Sequence, residues 1–176
     1  MKGEIHLSIL MITASPQPKG ALQHLCQHFL NGVATTNQAV KQFDVGQAPL
    51  PPLTVNQDGN FIPPTTRTKQ LMTAISEADT LVFATPVYLY GMTAQLKAVI
   101  DHMVTWPKSI GKDKTAILIA DSPNENFDQI KSEFKAIFTH FDWTFGGQLL
   151  AAKVPDQPDA DLRFYPQIAE ELGKSM

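Results

Sequence analysis

The chain has 176 residues, a net charge of −3, 43% hydrophobic residues and 18% charged residues, a composition typical of a globular protein with a buried core. It has no run of basic residues, so neither nucleic acid nor an anionic membrane surface is an expected partner. The single cysteine, Cys26, excludes an internal disulfide and a cysteine metal cage. No apolar stretch approaches the roughly 20 residues of a membrane span. The apolar start fits a first strand better than a secretion signal, so a cytoplasmic protein is expected.

The first half of the chain alternates between apolar runs and helical stripes. Ile5–Thr13 is almost entirely apolar, as expected of a strand that is covered on both faces. The turn-like segment Ala14–Gly20 separates it from a helix whose apolar positions recur every three or four residues up to Val33. Ala39–Val45 is predicted to be a more polar strand at a sheet edge. Gly46–Pro64, with five prolines and two glycines, is predicted to be a long loop.

The second half of the chain continues the same alternation. The third strand is expected to stop at Pro86, because proline cannot donate a hydrogen bond to a central strand pair. The fifth strand is expected to be broken at Gly146-Gly147. The predicted elements are a helix over Thr65–Ala78, a strand over Leu81–Ala84, a helix over Met92–Met103, a strand over Lys114–Ala120, a helix over Glu125–Phe141, a strand over Thr144–Ala152 and a helix over Leu162–Lys174.

Five strands alternating with five helices predict crossover connections and a five-stranded parallel sheet. The polar second strand fits one edge of a sheet with the order 2-1-3-4-5. We therefore predict an α/β protein with a three-layer α/β/α flavodoxin-like fold, formed by a single domain over residues 1–176. In this order the chain reverses direction across the sheet between strands 1 and 3, and ligands bind at that point.

The loop after the first strand, with the sequence ASPQPKG, leads into the start of a helix. Free backbone N–H groups and the helix dipole favour an anion there. Ser15 offers a hydroxyl, Gln17 an amide and Lys19 a charge, while Gly20 lets the backbone approach a ligand. A plain strand-to-helix turn is the alternative interpretation. The candidate anion-binding residues are Ser15, Gln17, Lys19, Gly20, Ala21 and Leu22.

The loop after the third strand, with the sequence TPVYLYG, is expected at the same sheet edge. Tyr88 and Tyr90 can offer flat faces and hydroxyls to a planar ligand, although they could also pack on protein neighbours. An anion site beside an aromatic surface suits a phosphorylated planar cofactor such as FMN. The candidate ring-binding residues are Thr85, Pro86, Val87, Tyr88, Leu89, Tyr90 and Gly91.

Two segments, ASPQPKG and ATPVYLYGMTAQLKAVIDHM, resemble the NADPH-dependent FMN reductase family of flavodoxin-like flavoproteins. The second segment carries the more specific match. The resemblance implies a flavodoxin-like fold, FMN as cofactor, NAD(P)H as electron donor and a homodimer. The matching residues are Pro86, Tyr88, Ala94, Gln95, Leu96, Lys97, Ile100 and Asp101.

The family's phosphate loop, Ser-x-Arg-x-x-Ser, is only partly present. Ser15 matches the first serine, whereas Gln17 replaces the arginine and Gly20 the second serine. Loss of one charge-assisted hydrogen bond costs about 1.5–3 kcal/mol, or roughly ten- to a hundredfold in affinity. Lys19 is expected to compensate in part. The loop Asp121–Glu125 has no glycine, unlike that of many relatives, and a carboxylate at its start would disfavour the anionic reduced flavin, so no flavin contact is predicted there.

The predicted function is FMN-dependent NAD(P)H oxidoreduction with a quinone, free flavin or another small acceptor. No catalytic residue is predicted, because the flavin performs the chemistry. No metal ligand is predicted either, because the pair His24 and His28 lacks the glutamate of a zinc protease helix. One alternative is a flavodoxin-type electron carrier, against which the modest charge argues. The other is a flavin-free regulatory or binding domain on the same scaffold. The loop Gly46–Pro64 contains no cysteine, which excludes the relatives that hold an iron–sulfur cluster there.

Overall fold

The computed structural model describes residues 8–111 and 113–176. Within them, five parallel strands form one sheet in the order β2-β1-β3-β4-β5, which confirms the predicted fold class and strand order. Ile5–Leu7 of the predicted first strand lie outside the described residues. The elements are β1 (Ser8–Thr13), α1 (Ala21–Val33), β2 (Ala39–Asp44), α2 (Thr66–Glu77), β3 (Thr80–Pro86), α3 (Ala94–Met103), a short 3₁₀ helix (Lys108–Gly111), β4 (Thr115–Ser122), α4 (Asp128–His140), β5 (Thr144–Ala152) and α5 (Tyr165–Lys174).

The sheet separates two apolar layers because successive strand residues point to opposite faces. Ile9 and Met11 of β1 belong to a core shared with α1 and α5. Leu10 and Ile12 belong to the core formed with α2, α3 and α4. Both faces of the central strands are therefore covered, as the nearly continuous apolar runs predicted.

The two polar residues at the end of β4 were wrongly predicted to belong to a loop. β4 continues to Ser122, because Asp121 pairs with Pro86 of β3 and with Ala151 of β5. The backbone pairing thus extends past the last apolar residue, Ala120. The prediction that β3 ends at Pro86 is confirmed.

Two helices begin later than the sequence pattern suggested. α4 begins at Asp128 instead of residue 125, and α5 begins at Tyr165 instead of residue 162. The long loop between β2 and α2 is confirmed, with one isolated bridge between Val55 and Phe61.

The glycine pair in β5 makes a β-bulge and does not break the strand. The pairing with β4 shifts register between Ala116 and Ile117, so that Ile117 lies opposite Gly147 and Gly146 is the additional residue. Gly147 has a φ of +146°, which side-chain-bearing residues rarely adopt. β5 thus remains one strand, but it is bent at the outer edge of the sheet.

Candidate functional site

The loops after β1 and β3 lie side by side at the carboxyl edge of the sheet. The backbone N–H of Ala14 donates to the carbonyl of Ala84 at 2.9 Å. The hydroxyl of Thr93 donates to the carbonyl of Ala14 at 3.0 Å, and the N–H of Thr93 donates to the hydroxyl of Thr85 at 3.1 Å. Thr93, which also caps α3, therefore ties the two predicted binding loops together. No sequence pattern predicted this role for Thr93.

The first loop is held in place by a hydrogen bond of its own and by two more from Gln47. The N–H of Gln17 donates to the hydroxyl of Ser15 at 3.1 Å, a local turn that leaves the Ser15 side chain fully buried. The side-chain amide of Gln47 donates to the carbonyls of Ser15 and Pro16 at 3.2 and 3.0 Å. The side chains of Gln17 and Lys19 are exposed. Of the candidate polar groups in this loop, these two are the ones that a ligand can reach.

The start of α1 has the features of an anion-binding end. Gly20 occupies the N-cap in an extended conformation and supplies no side-chain cap. The side chains of Ala21 and Leu22 are buried, so these two residues can offer only their backbone. The first turn of a helix presents N–H groups without intrahelical partners, and the helix dipole makes this end electropositive.

The third loop ends in a tight turn with an unusual backbone. Tyr88 and Gly91 exchange two hydrogen bonds of 3.0 and 3.2 Å. The two residues between them, Leu89 and Tyr90, have φ angles of +47° and +74°, the arrangement of a type I′ turn. Such turns favour asparagine and glycine, so leucine and tyrosine are held here under strain, as is common in functional sites.

The ring-binding candidates divide into buried and exposed residues. Thr85, Pro86 and Val87 are buried and can offer a ligand little more than backbone groups. Leu89 is 95% exposed, and both tyrosines project from the surface. A cleft of about 90 Å³ lies between this turn and the loop after β4. Its lining residues are Val87, Leu89, Tyr90, Ser122, Asn124 and Asn126.

Asp121 is a buried acid close to this edge. Only 1% of its surface is exposed, and neither carboxylate oxygen has a hydrogen-bond partner in the described part of the chain. Burial, and secondly the negative charge of Asp156, raise the pKa of Asp121 to about 8. Its carboxyl group is therefore largely protonated at neutral pH.

Asp156 contacts both loops, and no sequence pattern predicted this position for it. The hydroxyl of Tyr88 donates to Oδ2 of Asp156 at 2.8 Å. Oδ1 faces the start of α1 so closely that a Cβ added at Gly20 would collide with it, yet this oxygen has no hydrogen-bond partner among the described residues. Burial of the phenol, and secondly the bond to Asp156, raise the pKa of Tyr88. Asp156 follows β5 in a segment rich in proline and aspartate, where no sequence motif marks it.

The sequence matches the family described as NADPH-dependent FMN reductase over residues 7–154. The chain belongs to this family. The resemblance of its two loop segments is thereby confirmed, as are an oxidoreductase activity and the use of FMN and NAD(P)H, which the family description implies. No protein of curated function matches the sequence.

Solved structures share the FMN reductase fold over nearly the whole chain. The NAD(P)H:quinone oxidoreductase from Methanothermobacter marburgensis has a TM-score of 0.74 at 14% identity, with 96% of each chain covered. The FMN-dependent NADH-azoreductase from Bacillus anthracis, solved with FMN, has a TM-score of 0.68 at 15% identity, again with 96% of each chain covered. The Trp repressor binding protein from Bacillus subtilis has a TM-score of 0.68 at 21% identity, with 95% of this chain and 98% of that chain covered.

The residues at this edge fit FMN in their chemistry. The start of α1, which carries no side-chain cap, suits a phosphate group, and exposed Tyr88 and Tyr90 suit a flat ring. The cleft of about 90 Å³ is well below the usual 300–1,000 Å³ of ligand pockets. This cleft alone is therefore too small to enclose a whole flavin. None of the helices in residues 8–111 and 113–176 has the length and apolarity needed to cross a membrane.

Proposed function

We propose that this member of the FMN reductase family passes electrons from NAD(P)H to a quinone, a free flavin or another small acceptor at the edge formed by residues 14–22 and 85–91. The observation that carries the proposal is the convergence of an α1 start without a side-chain cap and two exposed tyrosines on one sheet edge. When bound, FMN supplies the chemistry of hydride acceptance and electron release.

The chain's own residues bind and position the cofactor. The N–H groups of Ala21 and Leu22 hold the phosphate, with Gln17 and Lys19 at its exposed side. Tyr88 and Tyr90 contact the ring. Thr93 and Gln47 keep the two loops in place through the hydrogen bonds described above, so that little loop ordering is required on binding.

The proposal extends to assembly and location. Residues 1–176 act as one FMN-binding domain in the cytoplasm, and two copies form a homodimer. An apolar groove between α3 and α4 supports the dimer, since it measures about 530 Å³ and is bordered by Val104, which is 70% exposed. Light scattering on the purified protein tests the dimer, and a monomeric mass at micromolar concentration would contradict it.

Absorbance spectra and NAD(P)H consumption test the proposed activity. We expect the purified protein to take up added FMN, with a shifted flavin spectrum, and to oxidise NAD(P)H when a quinone or free FMN is supplied. FMN binding without NAD(P)H oxidation would favour the electron carrier. Failure to bind flavin at any concentration would favour the flavin-free domain.

Replacement of Lys19 by alanine tests the phosphate side of the site. Lys19 is exposed, and an exposed charge pair contributes up to about 1 kcal/mol, so FMN affinity should fall by up to about fivefold. Riboflavin affinity should not change, because riboflavin has no phosphate. Lys41→Ala, which removes an exposed lysine from β2, is the matched control. Equal loss for both flavins would contradict the phosphate role of Lys19.

A further inference from the structure

The carboxylate of Asp156 lies in the middle of the proposed flavin site, in contact with both of its sides. Oδ2 accepts the hydroxyl hydrogen of Tyr88 at 2.8 Å, and Oδ1 lies against Gly20 at the start of α1. We propose that Asp156 occupies the place of the flavin phosphate and thereby sets the preference of the site between FMN and riboflavin. This inference rests on the flavin site proposed above.

Asp156 does not act as an ordinary helix cap. A capping carboxylate accepts hydrogen bonds from the first N–H groups of the helix. Here Oδ1 is buried at the start of α1 and accepts none from the residues that the structure describes. A buried acceptor without a hydrogen-bond partner lowers the stability of the folded state. Such a cost is expected of a side chain that occupies the position of a ligand.

The segment that carries Asp156 is attached at both ends and has several exposed residues between them. We call residues 153–164 the strap. At one end, buried Val154 donates its N–H to the carbonyl of Ser122 at 2.9 Å. At the other, the hydroxyl of Tyr165 accepts the N–H of Ala152 at 2.9 Å. Apart from Asp156, the side chains of residues 155–159 are exposed, whereas Ala160 and Leu162 pack against the core. Residues 155–159 can therefore move while the rest of the strap stays attached.

The carboxylate of Asp156 opposes a second anion at this position. Asp121 adds little charge there at neutral pH, because its carboxyl group is largely protonated. A phosphate that enters here lies beside the carboxylate of Asp156. No arginine offsets this negative charge, because Gln17 stands at the arginine position of the family's phosphate loop. The phosphate of FMN therefore displaces the Asp156 side chain when it reaches the start of α1. The hydroxyl of Tyr88 then loses Asp156 as its acceptor and can donate to a different group.

Asp156 lies two residues beyond the part of the chain that matches the family, which ends at residue 154. The consequence is that FMN binds as an exchangeable ligand and that the phosphate adds less affinity than the start of α1 would otherwise provide.

The test is the affinity of Asp156→Asn for two flavins that differ only in the phosphate. Titration of flavin fluorescence should give an FMN dissociation constant at least about tenfold lower than that of the unmodified protein, which corresponds to one charge-assisted interaction. Riboflavin affinity should change less than about twofold. Asp159→Asn removes the same charge from an exposed position of the strap and should change neither affinity.

Two results would overturn the inference. Unchanged or weaker FMN binding by Asp156→Asn would show that the carboxylate does not compete with the phosphate. An equal gain for FMN and riboflavin would show that it obstructs the ring instead. If neither the unmodified protein nor any variant binds either flavin, the proposed function itself fails. That result is distinguishable from FMN binding whose affinity does not change in Asp156→Asn.

Limited digestion with a protease that cleaves at aspartate gives a second test that needs no variant. Asp159 is exposed in the middle of the strap. FMN should accelerate cleavage at Asp159, as identified by mass spectrometry, because its phosphate displaces the middle of the strap. Riboflavin should have no such effect. Protection by FMN, or no change at Asp159, would contradict the displacement.

Discussion

The free energy of unfolding should fall as the pH rises from about 4 to about 8, because Asp121 is buried without a hydrogen-bond partner. Its pKa is about 8 in the folded chain and near its ordinary value of 3.8 in the unfolded chain. Between these values the folded state keeps a proton that the unfolded state has released. The contribution of this bound proton to the free energy of unfolding is therefore complete below the lower pKa. It decreases between the two pKa values and is lost above the higher one. At 1.36 kcal/mol per pKa unit, the loss is of the order of 5 kcal/mol.

Urea denaturation across this pH range, on the chain and on Asp121→Asn, measures the effect. The asparagine cannot ionise, so the variant should lack this part of the pH dependence even if its stability at low pH is reduced. Asp159→Asn, a change at an exposed aspartate, should retain the slope. Asp156→Asn should lower the pKa of Asp121, since the charge of Asp156 is the second cause of its shift. Equal slopes for Asp121→Asn and the unmodified chain would refute this account.

Replacement of Gly173 by alanine should lower the free energy of unfolding by about 2 kcal/mol or more. Gly173 lies where α5 contacts α1, and a Cβ there would collide with the carbonyl oxygen of Phe29 and lie 2.9 Å from the backbone nitrogen of Val33. Backbone atoms cannot rotate away as a side chain can, so the helices must separate. The higher helix propensity of alanine offsets at most about 1 kcal/mol of this cost.

Chemical denaturation followed by circular dichroism measures the Gly173→Ala effect. Gly32→Ala should behave similarly, because its Cβ would collide with the carbonyl oxygen of Glu170 from the other side of the same contact. Gly91→Ala is the matched control, since the nearest atom to its Cβ is 3.9 Å away. A Gly173→Ala variant as stable as the unmodified chain would show that α1 and α5 adjust without loss of packing.

The fold could be predicted because its signals are local and strong. Apolar runs marked the central strands, and the polarity of Ala39–Val45 placed β2 at an edge, which is where it lies. The end of β4 could not be predicted in this way. Asp121 and Ser122 look like loop residues, but their backbones continue the pairing with β3 and β5, a tertiary effect that side-chain polarity does not reveal.

The site was predictable only as far as topology determines it. The strand order brought the two loops together, and the hydrogen bond from Ala14 to Ala84 shows that they are neighbours. The backbone strain at Leu89 and Tyr90 and the position of Asp156 had no signal in the sequence. Asp156 reaches the site through a segment with no periodic pattern, and its partners, Gly20 and Tyr88, are far from it in the chain.

The bend in β5 has a consequence for how the protein behaves at high concentration. β5 forms one open edge of the sheet within the described residues, and it carries Phe145, which is 54% exposed. A straight edge strand with an exposed aromatic residue is a template for edge-to-edge aggregation. The additional residue at Gly146-Gly147 disturbs the spacing of the free backbone groups, so a strand from another molecule cannot continue the ladder in register.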